Sequence, residues 1–427
     1  MLHLHAFDET TQKDPVLAWI GENHSRLPTP LYLYSAAALA QSVGDYRSLF
    51  PPGARGFYSL KSNPQPGLVH RLGALGLGAE VVSPGEWQVA REVGAENILV
   101  GGVSRSAEFF AEVIEHAPTA LIIDSEREWQ RLGSVASPNR PVDVLFRINP
   151  GVSFGGLNMA GGTQFGLSPE QALALAKEAT QGPPGVHVLG LHIYFGSQRL
   201  KTEVVLKALG EIEKVMPPFR DAGLLQVIDL GLGLGVPYLG RDIDPDLEEL
   251  SQALQTKWRS KPWAGLDIWF EAGRALVARS GYFISRVTEK KTLHDKTFVF
   301  LDGGLSVHNP GIGVGRFFRD NPRFCFLTQS DPTRRDSVEI VGNLCTSADQ
   351  LGGNVEAPEL EEGDLVVVPN AGAYTTTTGM WGFNSQGLFA EAVLEEDQRL
   401  EMLAPQYSLL AKFPPLLPPG DPGSKAP

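Results

Sequence analysis

Between residues 56 and 280, short apolar runs alternate with stretches of helical spacing, eight times over. The runs are GFYSLK (56–61), GAEVVS (78–83), NILVGG (97–102), ALIIDS (120–125), DVLFRINP (143–150), HVLGLHIYFG (187–196), QVIDLGLG (226–233) and DIWFEAGR (267–274). They are rich in Val, Ile and Phe and nearly continuous in apolar character, as strands covered on both faces should be. The intervening segments, such as PGEWQVAREVGA and SPEQALALAKEATQ, read as helices. Eight such units predict an α/β fold, a (β/α)8 barrel. A doubly wound open sheet is the alternative, because periodicity carries no information about closure.

The rhythm changes after residue 280. SGYFISRVTEKKTL, KTFVFLDGG, DSVEIVGNLC and GDLVVVPNAGAY are short alternating strands separated by turn residues, which predicts a β domain over 281–412, a β-barrel or β-sandwich. Residues 1–30 are expected to join that domain, and 31–280 to form the barrel. TPLYLYS reads as a strand or lead-in and AAALAQSVGDYRSLF as a helix. The Pro/Gly-rich tail over 413–427 is expected to be disordered.

Composition narrows the function. The 427 residues carry 36 Lys+Arg against 49 Asp+Glu, a net charge of −13 that argues against a nucleic-acid surface. No run of about 18 apolar residues suggests a membrane span. The opening MLHLHAFDETTQKD lacks the basic and apolar regions of a signal peptide. Two cysteines, Cys325 and Cys345, cannot make a disulfide framework, so the cytoplasm is the expected compartment.

Active sites of such barrels sit at the C-terminal ends of the strands. The first strand ends at Lys61, either an ordinary lysine snorkelling to water or a desolvated amine able to form a Schiff base. The sixth carries His192 into a Gly196-Ser197 turn that can hold an anion. The seventh ends in alternating Gly231, Gly233 and Gly235, a tight loop or a phosphate cradle. The eighth ends at Glu271, Gly273 and Arg274, either a rim ion pair or a carboxylate for a protonated ring nitrogen. In the β domain, Cys345 precedes Asp349 by four residues and Tyr374 follows a strand. No metal set is expected, since two such residues cannot make a zinc site. A reactive lysine, a phosphate cradle, a carboxylate for a ring nitrogen and a thiol acid together match the needs of pyridoxal 5′-phosphate.

In order along residues 28–395, YSLKSNP, AEVVSPGE, HIYFGSQ, DLGLGLGVPY, EAGR, GNLCTSAD and NAGAY resemble the fold-III pyridoxal-phosphate decarboxylases, the group of diaminopimelate, ornithine and arginine decarboxylases with an alanine racemase-like barrel. The resemblance implies that Lys61 carries the Schiff base and His192 stacks on the cofactor ring. Ser197, the turn with Gly233, Leu234 and Gly235, and Tyr374 would hold the phosphate, with Gly273 and Arg274 beside them. Glu271 would bond the ring nitrogen and keep it a strong electron sink. Glu80, Glu86 and Arg147 match supporting positions. It further implies a homodimer with shared sites, in which Cys345 protonates the carbanion in the partner's site and Asp349 lies near the substrate, with Thr346, Arg274 and Tyr374.

Glu271 and Cys345 separate this reading from the racemase branch, which resembles it in barrel and lysine but uses an arginine at the ring nitrogen and a tyrosine base. Several departures bear on the substrate. Thr346 stands where diaminopimelate decarboxylases have a Glu for the distal ammonium. DGGLSVHNPGIGVGRFF lacks their Arg-Pro-x-x-Tyr run. Gln164 replaces a common Lys, and Leu232 replaces a turn glycine. With NMAGGTQFG, the LCT-x-x-D form looks closer to siderophore, antibiotic and exopolysaccharide-associated decarboxylases. The expected reaction is therefore α-decarboxylation of an amino acid or a conjugate, including a carrier-protein-bound one. Meso-diaminopimelate decarboxylation of the lysine pathway and a fold-III racemase are the alternatives.

Overall fold

The computed structural model describes residues 2–152, 157–158, 161–180, 182–309, 320–330, 334–380 and 382–404. Within them the eight expected strands form a closed parallel barrel: β1 (Arg55–Ser59), β2 (Gly78–Val81), β3 (Ile98–Val100), β4 (Ala120–Ile123), β5 (Val142–Arg147), β6 (Val186–Tyr194), β7 (Val227–Gly231) and β8 (Asp267–Ala272). Each pairs with its sequence neighbour, and β8 returns to β1 with Trp269 opposite Arg55 and Glu271 opposite Phe57. Closure decides between the barrel and the open sheet. The following helices start at side-chain caps: Ser83, Ser106, Ser125 and Asp246 each accept an amide of the first turn.

The barrel interior is layered. Phe57, Leu99, Ile122, Leu145, Val227 and Trp269 pack into one apolar floor. Side chains on a strand alternate between faces, so the residue two positions on points the same way. Ser59, Asp124, Arg147, Asp229 and Glu271 stand two positions after Phe57, Ile122, Leu145, Val227 and Trp269. A polar layer thus lies directly above a dry one, at the C-terminal end where barrels place their chemistry.

The other strands make a second, ten-stranded sheet around Gly281–Leu293. That long strand pairs through residues 283–286 with Leu365–Val368 and through its far half with Lys296–Leu301. Both ends of the described chain feed this sheet. The expected domain boundary at residue 30 needs correction for one strand: Leu31–Ser35 lies in the second sheet, antiparallel to Gly281–Leu293 and parallel to Ala390–Leu394. All five of its residues are buried: Leu31 and Leu33 share a core with Leu17, Trp19 and Ile20 of the helix Pro15–Asn23, while Tyr32 and Tyr34 face the main core on the other side. The strands His3–His5, Cys325–Thr328, Gln350–Pro358, Ala390–Leu394 and Leu400–Ala404 were not anticipated from the sequence. Two glycines interrupt the apolar pattern of Gln350–Pro358, and Ala-Glu-Ala reads locally as helix. The segment 413–427, and residues 310–319 of the DGGLSV run, lie outside the described residues.

Candidate active site

Lys61 stands on a short helical turn, Leu60–Ser62, directly after β1. The turn is anchored from several sides. The Ser62 hydroxyl donates to the Ser59 carbonyl at 2.8 Å, and the Tyr374 amide donates to the Ser62 carbonyl at 2.6 Å. Asn63 donates to Tyr34 Oη at 2.9 Å and to the Gly372 carbonyl at 3.0 Å. Tyr34 in turn donates to Glu391 Oε1 at 2.9 Å. The second sheet therefore fixes the loop that carries the lysine.

Lys61 Nζ lies 3.6 Å from Glu80 Oε2 and 5.4 Å from the centre of the Tyr194 ring. Burial alone lowers a lysine's pKa; here Glu80, Glu271, Tyr374 and Tyr194 outweigh it and hold Lys61 above the ordinary range. Burial pushes Glu80 upward, against the pull of Lys61. Lys61 therefore holds its proton tightly, and that proton must leave before Lys61 acts as a nucleophile.

Opposite, His192 Nε2 is 3.3 Å from Glu271 Oε2. Asp229, His192 and Glu271 each offer an atom within 4.8 Å of the others. Two buried carboxyls so close cannot both ionise. Burial and the Glu271 charge push Asp229 well up, so it keeps its proton. Burial also works against the Glu271 charge, but His192 and Lys61 outweigh it and hold that carboxyl below its usual range. Glu271 Oε1 is buried without a partner, an acceptor for an N–H donor.

Two cavities meet at Lys61, Tyr194 and Glu271. One is lined by Ser197, Gly233, Leu234, Gly273, Arg274 and Tyr374. Arg274 Nε donates to Ser197 Oγ at 3.1 Å and Nη1 to Tyr238 Oη at 2.7 Å, with the guanidinium 4.7 Å from the Tyr374 ring centre. Tyr374 holds φ +66°, a costly conformation for a bulky side chain. Burial and Tyr194 push its hydroxyl up to about 12. At Gly233, φ is +66° and a Cβ would collide with the Gly196 carbonyl oxygen. Leu232 is tolerated because its side chain turns into the core.

The second cavity is lined by Glu80, Gly101, Gly102, Arg147, Phe165 and His192. Arg147 Nη1 pairs with Asp124 Oδ1 at 3.2 Å. Glu86 sits behind Glu80 and accepts the Val82 amide at 2.8 Å.

The expected residues do not all converge. Gly235 does not line either cavity; its amide donates to the Arg199 carbonyl at 2.8 Å, so it ties the turn together. Cys345 is exposed, and Cys345 and Thr346 line neither cavity of their own chain. The substrate contact expected for Asp349 needs correction. That side chain is buried, with its oxygens accepting the Leu305 amide at 2.6 Å and the Leu344 amide at 2.8 Å. Gly304 and Gly342 leave no room beside it. Asp349 shapes the Cys345 loop. Sequence reasoning passed over Asp229, Asp124, Tyr194, Asn63 and Arg199. The period-two alternation above the apolar floor was the available signal for the first two.

A family model described as the pyridoxal-dependent decarboxylase, pyridoxal binding domain, matches residues 37–278. The chain belongs to this family. The pyridoxal-dependent decarboxylases similar to it include an L-glutamyl-[BtrI acyl-carrier protein] decarboxylase of Niallia circulans, 30% identical over 82% of this chain and 85% of that protein. A diaminopimelate decarboxylase of Archaeoglobus fulgidus is 28% identical over 81% of this chain and 83% of its own. Among solved structures, Helicobacter pylori diaminopimelate decarboxylase complexed with L-lysine superposes with a TM-score of 0.80 at 25% identity, covering 91% of this chain and 97% of that one. The protein is thus a pyridoxal 5′-phosphate-dependent carboxy-lyase, and its site fits the cofactor: a lysine for the aldehyde, a cationic cradle at one end, and an orphaned carboxylate oxygen at the other. Among the described residues, no helix is long and apolar enough to cross a membrane.

Proposed function

We propose that this decarboxylase removes the α-carboxylate of an amino acid whose far end is already joined to another group, and that it does so as a homodimer. Neutral Thr346 carries this reading, standing where diaminopimelate decarboxylases place a carboxylate for a free distal ammonium. The 30% identity to a decarboxylase of a carrier-bound glutamyl group supports it. The exposed Cys345 loop, outside its own chain's cavities, supports completion of each site by a second copy.

The cofactor, when bound, supplies the aldehyde that captures the substrate amine and the ring that takes up the electron pair left when CO2 departs. The chain's residues do the rest. Lys61 gives its proton toward Glu80 and offers a neutral amine. Glu271 Oε1 would accept the ring N–H, while His192 on Oε2 and neutral Asp229 keep that carboxyl ionised. Ser197, the Gly233 turn, Arg274 and Tyr374 would hold the phosphate. The partner subunit's Cys345 delivers its thiol proton to the substrate α-carbon after CO2 has left.

The test is release of labelled CO2 from free meso-diaminopimelate, ornithine, arginine and glutamate against a glutamyl carrier protein and a citrate-linked diamino acid. A conjugate is expected to be the best substrate, by about tenfold or more in kcat/KM. Preference for free diaminopimelate overturns the substrate reading. Exchange of the α-hydrogen without CO2 release would favour the racemase alternative. Sedimentation as a monomer under turnover conditions would remove the shared site.

A further inference from the structure

The phosphate-binding cavity is bordered by a cation that the family motifs do not include. Arg199 follows the Gly196-Ser197-Gln198 turn, and it is only 6% exposed. Its backbone is stitched to the glycine turn: the Arg199 amide donates to the Gly233 carbonyl at 3.0 Å, and the Gly235 amide donates to the Arg199 carbonyl at 2.8 Å. Its guanidinium folds behind that turn. Nη1 donates to the Leu232 carbonyl at 2.8 Å and would lie 3.1 Å from a Cβ placed on Gly233. Gly233 lines the cavity with Ser197 and Arg274, and the guanidinium packs beside this glycine and the Gly196 carbonyl without lining the cavity itself.

The guanidinium carbon lies 5.8 Å from the centre of the Phe195 ring, an aromatic face that offsets part of its charge. Among the described residues no carboxylate lies within ion-pair distance of Arg199, and its Nε is buried without a partner. The polar neighbours that favour its charge are Tyr194 and Tyr46, which line the same cavity; burial works against the charge. A buried cation without a carboxylate partner is unfavourable until an anion binds near it. The acidic side chains Glu80, Asp229 and Glu271 gather at the other end, around Lys61 and His192. The site is therefore polarised, with two buried arginines at the cradle and three carboxyls at the ring end. That is the charge distribution of a ligand carrying a phosphate at one end and a protonated nitrogen at the other.

We infer that Arg199 is a positioning residue for the cofactor's phosphate: a fixed positive charge behind the Gly233 turn that favours binding of a dianion through the backbone. This rests on the reading of that cavity as the phosphate site. A purely structural Arg199, there only to brace Leu232, makes the opposite set of measurements.

Arg199→Gln removes the charge and keeps a polar side chain; Arg199→Lys keeps the charge. Binding of pyridoxal 5′-phosphate and of pyridoxal, which lacks the phosphate, is titrated by the visible absorbance of the Schiff base. Thermal unfolding of the cofactor-free protein is followed with and without inorganic phosphate. Arg199→Gln is expected to lose about tenfold or more in affinity for the phosphorylated aldehyde while its affinity for pyridoxal stays within about twofold. Without ligand it should melt no lower than wild type, yet gain less from phosphate, and Arg199→Lys should recover most of both losses. An unchanged preference for the phosphorylated aldehyde in Arg199→Gln overturns the inference. So does a cofactor-free variant that melts lower but responds to phosphate as before. Should Arg199→Gln fail to fold, Arg199→Met is read by the same ratio, and a failure of both to fold while Arg199→Lys folds overturns it in favour of the brace. Absence of a phosphate preference in the wild type would instead sink the reading of the cavity itself.

Discussion

His192 Nε2 and Glu271 Oε2 stand 3.3 Å apart across the strand that carries Asp229, leaving Glu271 Oε1 as a buried acceptor with no partner of its own. The pair holds a negative charge where a dry interior disfavours one. Glu271→Gln keeps the shape and loses the charge. The visible Schiff-base absorbance should survive, while kcat for CO2 release falls about 100-fold or more. A variant with wild-type kcat would remove Glu271 from the electron sink.

Glu86 gives the site a pH signature. Burial raises its carboxyl to about 7, with Glu80 adding to the shift and the Val82 amide and Lys61 opposing it. The folded state thus holds this proton more tightly than the unfolded chain. The stability so gained is complete below about pH 4.5 and is lost as pH rises through about 7. Glu86→Gln, which can still accept the Val82 amide, should match wild type in acid and exceed it above pH 7 by roughly 1–3 kcal/mol. Denaturant unfolding across that range checks it; parallel curves would contradict the assignment.

The two thiols should behave as different chemicals. Burial pushes Cys325 up to about 12, while Cys345 is exposed. A small alkylating reagent should modify Cys345 alone in the native protein, and a saturating product amine should protect it if a second copy completes the site. Cys345→Ala should lower turnover about 10- to 100-fold and leave cofactor absorbance intact. Labelling of Cys325 first, or equal turnover in the variant, would count against these roles.

Asn63 joins the lysine loop to the second sheet through Tyr34 and the Gly372 carbonyl. Asn63→Ala leaves that carbonyl buried without its donor. It should cost about 2–4 kcal/mol in stability and weaken cofactor retention in the same measurement series. Full cofactor occupancy in a clearly destabilised variant would show that the loop holds its geometry without the second sheet.

Much of this was legible in the sequence, for identifiable reasons. Strands buried on both faces must be apolar throughout, so the barrel announced itself eight times over. Lys61, His192, Glu271 and the glycine turn fall at strand ends, where a barrel exposes chemistry. The sheet of the second domain was less legible, because Leu31–Ser35 finds its partners some 250 and 360 residues away and no local pattern encodes such pairing. Asp349 was misjudged because its sequence neighbour Cys345 drew it into the chemistry. Only the positions of the Leu305 and Leu344 amides reveal that its oxygens are already taken. Arg199 was invisible because a basic residue in a turn ordinarily faces water.

The strand Leu31–Ser35 also sets an order of assembly. Its partners begin at Gly281 and at Ala390, so on a growing chain it waits unpaired while the whole barrel is synthesised. The barrel is in effect an insertion that can close first, with seven pairings between strands adjacent in sequence and one closing pair between its first and last strands. The lysine loop, tied through Asn63 to Tyr34 and Gly372, reaches its working shape only when the late strands arrive. The groups that anchor the lysine loop at Gly372 and, through Tyr34, at Glu391 thus lie C-terminal to every strand of the barrel, and the loop's support is the last part of the site to be synthesised.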